Sequence, residues 1–140
     1  MRYVISGTVM QTVAIDLAPG ETVYSQTNTM AWMNDQIAMN THTGGGFFEG
    51  LKRTFGGGSF FITDFTANGP GHVAFAPRFP GTIVPAMLQP GHSLICRKET
   101  FLVAQQSVSL ELAWQKRLGA GFFGGDGFTL QKVTGPGMVF

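Results

Sequence analysis

The sequence predicts an all-β protein made of two copies of one β-module. Three observations lead there: regular Pro-Gly punctuation, period-two apolar alternation between the punctuation marks, and an internal repeat. Five prolines are followed by glycine, at Pro19-Gly20, Pro70-Gly71, Pro80-Gly81, Pro90-Gly91 and Pro136-Gly137. Proline presets φ for the first central turn position, and glycine accepts the positive φ that a type II turn needs at the second. Five such turns in 140 residues call for many short strands.

The elements follow in chain order. Val13, Ile15 and Leu17 alternate with Thr12, Ala14 and Asp16, so one face of that strand meets a core. Phe48, Leu51 and Phe55 have helical spacing, but Gly44 to Gly46 and Gly56 to Gly58 leave room for two turns at most. Ser59 to Thr66 carries apolar groups on both faces, as a buried strand does. Val73 and Phe75 alternate with His72 and Ala74. Val108, Leu110, Leu112 and Trp114 alternate with Ser107, Ser109, Glu111 and Ala113.

Three landmarks recur in order. Leu17 to Val23 returns as Leu88 to Leu94, Phe55 to Phe60 as Phe123 to Phe128, and Asn68 to Val73 as Thr134 to Val139. Repeated supersecondary units bury their apolar faces against neighbouring copies. The expected division is residues 1–84, a first module with an N-terminal strand and linker, and 85–140, a second module sharing its core. The first copy runs on past Val73 while the second stops at Phe140, so the strand edge beside it invites pairing with another chain.

Composition narrows the function. Nine Lys and Arg against eight Asp and Glu give a net charge of +1, which excludes polyanion binding driven by bulk charge. Thirteen Phe and 44 % hydrophobic residues exclude a disordered chain. One cysteine, Cys96, makes no intrachain disulfide. Its neighbours Arg97 and Lys98 would lower its pKa if close in space, and a small apolar strand residue is the plainer reading. No signal segment or membrane-length apolar run is present, and a cytoplasmic protein is expected.

The pattern LAPGETVY, MAWM, TGGGFFEGLKRTFGGGSFFITDF, GPGHVAFAP and GFFGGDGFTLQ resembles the altered-inheritance-of-mitochondria (mitochondrial biogenesis) family over essentially the whole chain. Gly44 to Phe61 is the most specific part. The resemblance implies repeated β-sandwich modules of shortened double-stranded β-helix type, similar in fold to the tryptophan RNA-binding attenuation protein. That family carries a further module, whereas this chain ends at Phe140. A short member, a fragment, or symmetry completed by oligomerisation would each account for that. The family supplies no catalytic residues to carry over.

The residues themselves offer little chemistry. His42, His72 and His92 show no His-x-His, and a metal needs three convergent ligands. Asp64 interrupts an apolar strand, which points to a hydrogen-bonded or outward-facing carboxylate. No nucleophile elbow, Cys/His motif or phosphate-binding loop is present. Neither a cofactor nor an enzymatic activity is expected. Phe47, Phe48, Lys52, Arg53, Phe122 and Phe123 form the candidate interaction surface, each Phe pair lying in a glycine-rich connection near a basic pair. The alternative for these phenylalanines is a seam between modules. The expected function is a non-catalytic homo-oligomeric scaffold. A binding module for an apolar ligand, lipid, membrane surface or protein partner comes second. RNA binding rests on fold analogy alone, so no nucleic acid is expected.

Overall fold

The computed structural model describes residues 1–42, 61–116 and 128–140. The described residues are all-β, with a single 3-10 turn at Lys98–Thr100. The strands are β1 (Arg2–Ser6), β2 (Thr12–Leu17), β3 (Thr22–Gln26), β4 (Met30–Met33), β5 (Ile37–His42), β6 (Ile62–Ala67) and β7 (Gly71–Phe75). They continue as β8 (Ala86–Leu88), β9 (Ser93–Arg97), β10 (Val103–Gln105), β11 (Ser109–Lys116), β12 (Phe128–Thr134) and β13 (Gly137–Val139). Every pairing between them is antiparallel. One sheet has the order β1-β2-β7-β4, a second β5-β6-β3-β10-β13-β8, and a third β11-β12-β9.

Alternation places the core. Val13, Ile15 and Leu17 of β2 are buried, as their spacing predicts. They pack with Phe65, Val73 and Phe75, and also with Leu102, Val103 and Phe140 from the far end of the chain. Phe65 and Phe75 meet edge to face with centroids 5.1 Å apart, the favoured arrangement for two ring quadrupoles. A second cluster joins Tyr24, Ile62, Phe101, Val108, Leu110 and Val133. The buried Tyr24 hydroxyl donates to the Val108 carbonyl at 2.9 Å. Burial holds that phenol well above its ordinary pKa.

Strand registers recur along the chain. Leu17 faces Gly71, and Leu88 faces Gly137. Thr22 faces Thr66, and Ser93 faces Thr134. Asn40 faces Asp64, and Glu111 faces Lys132. Met33 faces Val73, and Ala104 faces Val139. The first member of each pair shifts by the same 71 positions (17 to 88, 22 to 93, 40 to 111, 33 to 104). Even a side-chain contact is kept: the Thr22 and Thr66 hydroxyls lie 2.9 Å apart, and those of Ser93 and Thr134 lie 2.8 Å apart.

Several expectations change: the last strand, β13, expected to present an open edge, lies between β10 and β8. Only Gly20 (φ 85°) and Gly91 (φ 79°) close the expected Pro-Gly turns. There the Glu21 N–H reaches the Ala18 carbonyl at 2.9 Å, and the His92 N–H reaches Gln89 at 3.0 Å. Gly71 and Gly81 lack a positive φ, and Gly137 opens β13 after a cis Gly135-Pro136 bond. Gly71 serves close approach instead, since a Cβ there would lie 2.8 Å from the Ala67 Cβ, which is fixed to its backbone and cannot swing away. Of the strand read from Ser59 to Thr66, Ser59 and Phe60 lie outside the described residues, and β6 runs from Ile62 with Ile62 and Thr63 both buried. In β11 the alternation breaks at a bulge between Leu112 and Trp114. The helical segment, Phe48 to Phe55, lies outside the described residues.

Candidate functional site

The described residues form a groove of about 1180 Å³. Three elements shape it. The turn between β3 and β4 supplies Gln26 to Thr29, the connection to β8 supplies Pro77 to Val84, and β9 with the following 3-10 turn supplies Leu94, Cys96 and Arg97 to Thr100. The connection is pinned to the first sheet by backbone geometry. The Gly81 N–H donates to the Val9 carbonyl at 2.9 Å, and the Ile83 N–H to Gln11 Oε1 at 2.7 Å. Exposed apolar side chains line the groove, among them Phe61, Phe79, Val84 and Leu94. Arg78, Arg97, Lys98 and Glu99 supply its charge.

Cys96 lines this groove on β9. Burial pushes its thiol pKa up, in line with the plainer reading of a small apolar strand residue. It behaves as a small apolar strand residue rather than a reactive nucleophile.

Two His–carboxylate pairs were not legible as pairs in the sequence. Asp16 and His72 face each other across β2 and β7, and the ring Nδ1–H donates to Asp16 Oδ1. Arg2 Nη2 reaches Asp16 Oδ2 at 3.2 Å. The His72 hydrogen bond is the largest influence on the Asp16 carboxyl; desolvation opposes it, and the charges of His72 and Arg2 add to it, so the carboxyl is held below its ordinary range. Trp32 covers the His72 ring with centroids 4.6 Å apart, and is half exposed rather than part of an apolar strand core. On β5 and β6, His42 Nε2 meets Asp64 Oδ2 at 3.1 Å, so the carboxylate that interrupts the apolar strand is partnered and partly solvated. The signal for both pairs is a cross-strand register, which a sequence read strand by strand does not contain. His92 sits in the Gln89–His92 turn, away from both pairs.

Each pair holds two titratable groups, and no group of three His, Cys, Asp or Glu among the described residues is placed to hold a metal ion. The two pairs resemble structural clamps between strands. Gln131 is fully buried on β12, its Oε1 accepting from Gln26 Nε2 at 3.1 Å, which links the third sheet to the second. Phe47, Phe48, Lys52, Arg53, Phe122 and Phe123 all lie outside the described residues. No helix among the described residues is long and apolar enough to cross a membrane.

The comparisons with known proteins agree with this architecture. A crystal structure of a Streptococcus pyogenes protein is similar with a TM-score of 0.72 and 30 % identity, covering 99 % of this chain and 62 % of that one. An uncharacterized protein of Streptococcus pyogenes serotype M6 is 31 % identical over 143 aligned residues, which is 96 % of this chain and 56 % of the relative. The chain therefore spans little more than half the length of that curated relative. The family model described as mitochondrial biogenesis AIM24 matches residues 3–140, and the chain belongs to that family.

Proposed function

We propose that the protein is a non-catalytic β-scaffold of two homologous modules, residues 1–84 and 85–140, which acts as a homo-oligomer. The recurring strand register carries this reading. A 71-position shift preserved through four pairings is what a duplicated sandwich of shortened double-stranded β-helix type produces. Exposed apolar side chains on short strands, among them Val4, Trp32, Met87 and Ile95, supply surface for self-association. The test is light scattering behind size exclusion at two salt concentrations. A mass above 15.0 kDa that salt does not change is expected, because apolar contacts are not screened. A monomer at micromolar concentration would overturn the scaffold reading.

A second reading is a binding module for a small apolar ligand or lipid. The groove favours it, since Phe61, Phe79, Val84 and Leu94 converge there beside Arg78. In that reading a monomer binds an environment-sensitive fluorescent fatty acid, and Phe79→Asp abolishes the signal.

A further inference from the structure

We propose that β4 of one molecule pairs antiparallel with β9 of a second copy, in the register of the β3–β10 junction, and that two such pairings form a two-fold dimer. The inference rests on the oligomeric reading above and names its interface. Within one chain, β3 and β10 join the two halves, with Val103 facing Ser25, Ala104 facing Tyr24 and Gln105 facing Val23. By the 71-position shift, β10 corresponds to β4 and β3 to β9. Yet β4 and β9 end their sheets, and neither has a neighbour on its outer side among the described residues.

Burial shows what the missing neighbour does. Val23, Tyr24, Val103 and Ala104 are at most 2 % exposed. Their counterparts are open: Leu94 is 44 % exposed, Ile95 64 % and Trp32 50 %, with Met33 and Cys96 partly exposed. These positions stay apolar at an open edge, where lysine or proline ordinarily discourages pairing, and the one irregularity on β4, between Met30 and Trp32, precedes the Trp32–Asn34 stretch that would pair. Charge plays no part at the centre of either strand, since Ala31 to Met33 and Leu94 to Cys96 hold no ionisable group apart from the Cys96 thiol. The chain therefore carries both halves of a junction that it already forms once. One groove is lined by Thr29, the residue just before β4, and by Leu94 and Cys96 of β9, so the start of one edge and the other edge approach the same concavity. Two copies facing groove to groove satisfy both edges at once, as an isologous contact requires.

The junction predicts Trp32 opposite Cys96, Met33 opposite Ile95 and Asn34 opposite Leu94 between molecules. Directly opposed antiparallel residues have Cα atoms about 4.5–5.5 Å apart, within reach of a disulfide. Trp32→Cys should therefore cross-link to the native Cys96 of the partner on mild oxidation. The expected product is a covalent dimer of twice 15.0 kDa on a non-reducing gel, absent from the wild type and from Trp32→Cys with Cys96→Ser. Ile95→Lys, at a solvent-exposed position, should halve the mass seen by light scattering while leaving the circular dichroism unchanged. It also serves if Trp32→Cys folds poorly. An oligomer that neither cross-links nor responds to Ile95→Lys overturns this interface and leaves the scaffold reading standing. A monomeric wild type overturns both. A dimer that cross-links and dissociates with Ile95→Lys supports the proposal.

Discussion

Asp16 accepts hydrogen bonds from His72 and Arg2 at the surface of the first sheet, and its ionised form is favoured by folding. A carboxyl with a depressed folded pKa stabilises the fold fully above its unfolded value, here the ordinary 3.8. That contribution is lost as pH falls below 3.8 through the lowered folded value. Asp16→Asn should therefore lower the urea midpoint at neutral pH by a small amount, as exposed pairs do. The gap to wild type should close under acid. A gap that stayed constant down to about pH 2, below ordinary carboxylate pKa values, would show that the pair acts through shape rather than charge. The sequence displayed Asp16 and His72 as unremarkable strand residues, because the register that joins them spans 56 positions.

Turns show how one dipeptide can serve different structural needs. Pro19-Gly20 and Pro90-Gly91 close matching turns with glycine at positive φ, whereas Gly71 is chosen for its small size. Gly135 is held by backbone instead, since a Cβ there would lie 2.6 Å from the Gln89 carbonyl oxygen and 2.7 Å from that of Leu88. Backbone atoms held by strand pairing cannot step aside as a side-chain tip can. At Gly91 a Cβ meets only open space and costs the strain of the left-handed region, about 1 kcal/mol. Gly135→Ala should destabilise more than Gly91→Ala in a denaturant titration, and the opposite order would refute the clash. At this scale the sequence was informative about strands. Apolar alternation placed β2 within its observed bounds, and the two-faced apolar run located β6. It failed at the β11 bulge, because the extra residue is set by the partner strand β12.

Across the whole molecule, the ends of the chain lock into the middle. Phe140 is buried in the cluster formed by β2, β6 and β7, and Tyr3 meets it edge to face at 4.8 Å. Its N–H donates to the Val103 carbonyl at 2.8 Å. Phe140→Ala should cost about 3 kcal/mol, as removal of a buried aromatic does. It should shift one cooperative melting transition, because the cluster draws on both halves. Two separate transitions, with only one displaced, would show that the halves fold independently.

Local chemistry determined the strand-rich class. Alternation, proline and glycine act within a few residues, and a sequence displays them directly. The sequence landmarks that recur at a spacing of about 70 have a structural counterpart in strand pairings that recur at 71 positions. The tertiary structure alone decided which edges found a neighbour. Val23 and Leu94 occupy corresponding positions, yet one is buried under β10 and the other opens to solvent. Nothing in either residue distinguishes those fates, since burial at a sheet edge depends on what the rest of the chain brings alongside it.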